Sequence, residues 1–140
     1  MDNKEGYKTK VKQLTGVRWV EVYKKALVYY KGITNKTKRK PYVRSAYFNK
    51  QKIFLELFWR HLFEKQNLRD KTRRLKLLPC AIDLIENAHV RPESKGHPYE
   101  NRSIVHRFIG VSGEGNKFKV QIKENKKTGM KWLISVYPFK

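Results

Sequence analysis

Cysteine is nearly absent: Cys80 is the one thiol in 140 residues. No internal disulfide can form, and cysteine alone cannot build a zinc site. Acidic residues are also scarce, 12 Asp and Glu against 33 Lys and Arg. Those present do not cluster: Asp83 and Glu86 read as exposed helix positions and Glu114 falls in a turn. Metal-dependent nucleases assemble two or three carboxylates around their ions, so that chemistry is disfavoured. The four histidines lack nearby carboxylate partners and make a poor metal set. There is no GxxxxGK[ST], GxGxxG, GxSxG or HExxH, which removes the nucleotide-binding, hydrolase and zinc-protease readings those patterns carry. No apolar run approaches membrane length, and Met1-Asp2-Asn3-Lys4-Glu5 lacks an apolar signal region. The expectation is a soluble, cytoplasmic protein with no membrane partner, no metal and no cofactor.

What is abundant is positive charge, +21 in all. A charge of that size costs self-repulsion, which a polyanionic partner relieves. Nucleic acid is the first choice, ahead of an anionic membrane surface or an acidic protein. The hydrophobic share of 39%, with three Trp, eight Tyr and seven Phe, is enough for one packed domain over 1–140. Cys80, inside Leu77-Leu78-Pro79-Cys80-Ala81-Ile82, reads as an inert core thiol.

The last third reads as three strands. Residues 104–111 are followed by 117–124, where Phe118, Val120 and Ile122 alternate with Lys117, Lys119, Gln121 and Lys123, and then by 130–137. In the last of these, Met130, Trp132, Ile134 and Val136 are expected on one face, and Lys131, Leu133, Ser135 and Tyr137 on the other. Gly113–Asn116 and Asn125–Gly129 have hairpin chemistry. The fold expected is α+β: N-terminal helices packed on one face of a C-terminal three- to four-stranded antiparallel β-meander, 104–139.

Residues 1–15 read as a loose basic arm and 17–88 as a mainly helical part. In 17–30, Trp19, Val20, Tyr23, Ala26, Leu27 and Tyr30 fall at helical spacing, with Gly32 as the stop. The run Asn35–Lys40 holds Lys38, Arg39 and Lys40, either a solvated loop or a phosphate-contacting one. Pro41–Phe48 reads as extended, an edge strand. Asn49 is a suitable N-cap for a helix from Lys50 to Lys65, whose stripe of Phe54, Leu57, Phe58, His61 and Leu62 faces the core, while Glu56, Arg60 and Glu64 form an ion-pair ladder. A helix from Leu68 to Leu78 is capped by Asn67. It is intensely basic, with Arg69, Arg73 and Lys76 on one face and Arg74 paired to Asp70. Pro79 opens another helix to Ala88. Residues 89–103 have no periodicity and read as a loop able to close over a ligand.

A metal-free ribonuclease needs a base for the ribose 2′-hydroxyl, cations for charge growing on the phosphate, and an acid for the leaving 5′-oxygen. His61 shares an apolar stripe, so it is either a packed core histidine or an acid–base group. His106 and Arg107 lie on opposite faces of the first strand, and the sequence leaves open which joins the polar face. Lys119, Gln121 and Lys123 lie on the polar face of the second strand, and Ser135 and Tyr137 on that of the third.

The stretches FWRHL at 58–62, RDKTRRLKLLPCAIDLI at 69–85, HRFIGVS at 106–112 and KFKVQIKEN with WLISVYP at 117–138 give the chain a layout similar to the barnase–EndoU–colicin–RelE-like ribonucleases, closest to their phage and mobile-element branch. The resemblance covers about residues 52–138 and is one of layout. It implies an active site where a helical His or Arg, a basic sheet residue and a Ser or Thr of the last strand meet. Here those are His61, Arg107 or Lys123, and Ser135. The function expected is a metal-independent endoribonuclease, toxin-like or phage-related, with RNA ahead of DNA as its partner. The catalytic set is His61, His106, Arg107, Lys123, Ser135 and Tyr137. Lys38, Arg39, Lys40, Arg69, Arg73, Arg74, Lys76 and Lys119 would hold nucleic acid. An acidic inhibitor or immunity protein would be a partner. The alternatives are a non-catalytic nucleic-acid-binding protein and a basic adaptor for an acidic protein.

Overall fold

The structure, a computed structural model, describes residues 6–97 and 99–139. Among them are seven strands, β1 (Tyr7–Lys8), β2 (Tyr42–Arg44), β3 (Lys52–Phe54), β4 (Glu93–Gly96), β5 (Ser103–Val111), β6 (Lys117–Asn125) and β7 (Lys131–Pro138). The helices are α1 (Trp19–Thr34), α2 (Glu56–Phe63), α3 (Leu68–Lys76) and α4 (Leu78–Asn87). The expected α+β class holds. The sheet is larger than expected, however, and mixed. Its order is β1-β5-β6-β7-β3-β2, with β4 also pairing β5. β5, β6 and β7 run antiparallel at its centre. β1 adds to β5, and β3 to β7, in parallel. At two and three residues, β1 and β3 are too short to carry a readable period.

The helices are therefore not one N-terminal block. β1 precedes them, and β2 and β3 interrupt them. The expected helix over 50–65 is a strand, a turn and a shorter helix. Asn49 and Lys50 both adopt positive φ, 56° and 66°, in a tight turn closed by the Lys50 N–H to Ser45 O bond at 2.7 Å. Asn tolerates that backbone well, which is why it begins a turn here and not a helix. Within α2, Phe58 and Leu62 are buried as the stripe requires. The Glu56–Arg60–Glu64 ladder does not form: Glu56 pairs with Lys40 at 3.6 Å. α1 passes through Gly32 to Thr34, and its buried side is Val22 and Ala26, not Val20 and Leu27. Trp19, Tyr23 and Tyr30 turn inward to meet Trp59 and Phe63, which sets the helix's rotation. The α3 cap is as read, with Asn67 Oδ1 accepting from Asp70 N at 2.9 Å. The supposed loop at 89–103 contains β4.

The arm is not loose where it is described; residues 1–5 lie outside the described residues. Tyr7 and Lys8 pair with Gly110 and Val111. Tyr7 Oη and Lys10 N both donate to the Asp83 carboxylate, at 3.3 and 2.9 Å. Gln13 N donates to Glu114 at 3.0 Å and Leu14 N to Lys76 O at 2.9 Å. Asp83 is thus a binding post for the strap and not an idle surface acid.

One face of the sheet is core: Phe108, Phe118, Val120, Ile122, Leu133 and Val136 are at most 2% exposed. Gly110 has no room for a side chain, because a Cβ would overlap the Phe118 ring and Leu84 of α4. In β7 the pairing steps from Gln121↔Ser135 to Ile122↔Leu133, which leaves Ile134 as an extra, bulged residue. Simple alternation fails there. Lys131, Leu133 and Val136 point to the core, while Trp132, Ser135 and Tyr137 share the other face. Lys131 is 4% exposed. Its ammonium bonds Gln51 and the Gly129 carbonyl and lies 4.9 Å from the Phe48 ring centroid.

The pairing also fixes the first strand of the meander. Arg107 lies opposite Gln121 on the polar face, and His106 opposite Ile122 on the core face. His106 is 8% exposed. Its Nε2 meets Glu124 Oε1 at 2.7 Å and its Nδ1 meets Ser94 Oγ at 2.6 Å. A carboxylate only accepts, so Nε2–H donates to Glu124, while Ser94 Oγ partners Nδ1. This histidine ties β4, β5 and β6 together.

His106→Ala would remove the ring that bonds both Glu124 and Ser94, leaving Glu124 only Lys131 at 3.9 Å, and open a void beside Phe48. Stability should fall by about 2–4 kcal/mol, read by urea denaturation. A change under about 0.5 kcal/mol would contradict this role.

Burial pushes the Cys80 thiol up to about 11. Burial, then the Asp83 carboxylate, pushes Tyr7 up to about 12. Both shifts favour the protonated form in the fold. Their stabilisation is fully present below the unfolded values of about 8.5 and 10 and is lost as pH rises toward 11 and 12. The melting temperature should hold through neutral pH and fall above about 9. Cys80→Ala should flatten the first part of that fall, and an unchanged curve would contradict it.

Candidate active site

Two helices and the bulge of β7 meet at one cleft. β3 pairs only the start of β7, at Lys131 and Trp132. Beyond it the chain turns into α2, which takes over that edge. At the bulge, on the edge that β3 no longer covers, His61 Nδ1 meets the Ile134 carbonyl at 3.1 Å. A carbonyl oxygen only accepts, so Nδ1 carries the proton. In the neutral ring Nε2 is then left with a free lone pair.

Arg74 arrives from α3. Asp70, one turn earlier, holds its Nε at 2.9 Å, the pair expected from their spacing. The guanidinium is thereby aimed over the edge of β7. Its Nη1 donates to Ser135 Oγ at 3.2 Å, and its carbon lies 5.4 Å from the Tyr137 ring centroid. Only 19% of the Arg74 side chain is exposed, so its charge acts in a partly desolvated setting where electrostatic effects grow.

His61, Lys65, Arg74, Gln121 and Ser135 line this cleft together with Phe58, Leu62, Ile134 and Val136. Its volume is about 200 Å³, room for one compact polar group and too little for a large ligand. Behind it, a chain of polar contacts crosses the open face of the sheet. With the Gln121 amide oriented by its hydrogen bonds, its oxygen accepts from Arg107 Nη2 and Nε at 3.1 and 3.2 Å. Arg107 Nη1 then reaches Glu93 at 3.3 Å. The cleft thus combines a lone-pair nitrogen, a fixed guanidinium, an ammonium and a hydroxyl. Among the described residues, no three His, Cys, Asp or Glu side chains come together to hold a metal ion.

Of the residues read from the sequence, His61 and Ser135 line the cleft and Tyr137 stands next to it under Arg74. Arg107 is one step removed, behind Gln121. Lys123 is elsewhere on the polar face, paired with Glu100 at 2.7 Å. His106 is on the opposite face of the sheet. Arg74, read as a phosphate holder, is at the cleft itself. The sequence held a signal for it, since Asp70 four residues earlier fixes its direction. Lys65 and Gln121 were missed as cleft residues. Lys65 lies just past the end of α2 at Phe63, where helical spacing from His61 no longer applies.

The remaining cations lie outside this centre. Arg73 and Lys76 line a cleft of about 820 Å³ with Lys117, Asn116 and Phe139. Lys119 packs beside Phe139, 4.8 Å from its ring centroid. Arg69 is exposed on α3. Lys38, Arg39 and Lys40 precede β2 at the far edge of the sheet and do not line the cleft. No helix among the described residues is long and apolar enough to cross a membrane. In comparisons with known proteins, the chain matches no protein-family model, no curated protein and no solved structure.

Proposed function

We propose that the chain is a metal-independent endoribonuclease, with the cleft between α2, α3 and β7 as its reaction centre. The observation that carries this reading is the juxtaposition of His61, held by Nδ1 so that Nε2 is left as a base, with Arg74 fixed on Ser135. The ribose 2′-oxygen attacks phosphorus, and its proton passes to His61 Nε2. A P–O2′ bond forms and the P–O5′ bond breaks, leaving a 2′,3′-cyclic phosphate. Arg74, with Lys65, offsets the charge that builds on the phosphoryl oxygens. Ser135 donates to the same oxygens while its own oxygen accepts from Arg74. Lys65 or water protonates the leaving 5′-oxygen, since His61 is the one histidine lining the cleft. Gln121 and Arg107 position this set from behind. Arg73, Lys76 and Lys117, in the cleft beside Phe139, hold the RNA backbone by charge.

A second reading is a nucleic-acid-binding protein that does not cut. It is favoured by the exposed cations Arg69 and Arg73 of α3, which have no ion-pair partner among the described residues.

The test is cleavage of a mixed tRNA and rRNA substrate in EDTA, read on a denaturing gel. Discrete fragments are expected with the wild type. His61→Ala should slow their appearance by about 100-fold or more, and Arg74→Ala by about 100-fold. Ser135→Ala should cost about tenfold, one hydrogen bond to a charged group. Lys123→Ala and His106→Gln should cut at near wild-type rates once folded, because neither touches the cleft. Undiminished cutting by His61→Ala would sink the site.

Intact RNA that shifts on a native gel would favour the binding reading. That binding should weaken by about tenfold or more between about 50 and 200 mM salt, and Arg69→Ala with Arg73→Ala should reduce the salt slope by about 2.

A further inference from the structure

α1 carries a surface that the cleft does not use. Val20, Lys24, Leu27 and Lys31 follow one another at intervals of four, three and four residues, with Val28 beside Leu27. That spacing places them on one stripe along the helix. The stripe points away from the protein, opposite the buried Val22 and Ala26. Val20 is 60% exposed, Val28 75% and Leu27 41%, and both lysines are exposed. At its N-terminal end the stripe runs through Val17, 88% exposed, into a cleft of about 640 Å³ between α1 and α3. There Leu68, 55% exposed, stands among Arg18, Arg69 and Arg73. Glu21, the nearby acid, is committed to capping: its carboxylate accepts from Val17 N at 2.6 Å and Arg18 N at 3.0 Å. Those two N–H groups hold it below the usual carboxylate range.

Single exposed aliphatic residues are ordinary. Val20, Leu27 and Val28, interleaved with Lys24 and Lys31 along a helix of 16 residues, about 24 Å of length, give its outer face a mixed aliphatic and cationic seam for helix packing. The kind of occupant follows from chemistry. A phosphate backbone would satisfy the cations but leave Val17, Val20, Leu27 and Val28 in water. A second copy would bring a further +21 charge and its own Lys24 and Lys31 to the same seam. A helix with aliphatic residues on its seam and carboxylates beside them satisfies both halves of the surface.

We propose that the outer face of α1, with the adjoining cleft at Leu68, is a docking surface for an acidic amphipathic helix of another protein. The proposal does not depend on the ribonuclease reading, and its test does not use RNA cleavage.

The probe is a synthetic peptide of about three heptads, with Leu at both seam positions and Glu at the flanking ones. It is labelled and titrated with the full chain at moderate salt, with fluorescence anisotropy as the readout. Saturable binding in the micromolar range is expected, against at least about tenfold weaker binding of a scrambled peptide of the same composition. Val20→Asp and Val28→Asp, both at exposed positions and checked for folding by circular dichroism, should each weaken binding by about tenfold or more. Lys24→Glu with Lys31→Glu should transfer the preference to a peptide with Lys in place of Glu.

Equal binding of the scrambled peptide would overturn the proposal, as would none up to about 100 μM or indifference to both aspartate variants. A wild-type dimer in light scattering that Val20→Asp dissociates would assign the seam to a second copy instead. Loss of affinity for a single-stranded RNA in the same variant would assign it to nucleic acid.

Discussion

The candidate site depends on one extra residue. With Ile134 bulged, β7 can turn Leu133 and Val136 to the core although they are three apart, and it can still set Ser135 beside Gln121. Without the bulge, regular alternation would place Ser135 on the same face as Leu133. The bulged residue also presents its carbonyl on the edge where β3 has ended and α2 begins. An unpaired backbone acceptor at that depth needs a donor. His61 supplies it, and in doing so its tautomer is chosen. The packing of the last strand and the chemistry of the helical histidine are thus one constraint seen from two sides.

Arg74 is governed by a parallel logic. A partly buried guanidinium is costly unless its donors are engaged. Asp70 holds one end and Ser135 the other, so the charge lies over the β7 edge in a fixed pose. Around it the protein carries far more cation than anion, yet the cations are not alike. Lys123, Arg107 and Lys40 are spoken for by Glu100, Glu93 and Glu56. Of the charge on α3, Arg74 is committed inward while Arg69 and Arg73 stay exposed.

Much of this was legible in the sequence where a periodic pattern ran long enough. The three-strand centre of the sheet, the Asn67-capped basic helix, the Asp70–Arg74 pair and the buried Cys80 followed from alternation, capping chemistry and apolar context. What was not legible shares a physical cause. β1 and β3 are held by partners far along the chain, and two or three residues contain no period. Asn49 is as good at starting a left-handed turn as at capping a helix, and the outcome was decided by β3 pairing with β7. The rotation of α1 was set by Trp59 and Phe63, which its own residues do not announce. His61 was readable as either packed or reactive; in the structure one ring nitrogen is bound to backbone, and the other has no hydrogen-bond partner among the described residues. His106 and Arg107 could be separated only by the register of β5 on β6.

The strap formed by the described N-terminal residues has a consequence for how the chain comes into being. Tyr7 and Lys8 find their partners at Gly110 and Val111, and Ile53 and Phe54 find theirs at Lys131 and Trp132. A ribosome makes the early strands first, so they emerge with their pairing edges open and their partners not yet synthesised. Helices can form locally and early, but the sheet cannot close until β5 and β7 have left the exit tunnel. Loop-closure entropy must then be met all at once. The chain's heavy positive charge, whatever it binds later, keeps those waiting edges in different nascent chains apart.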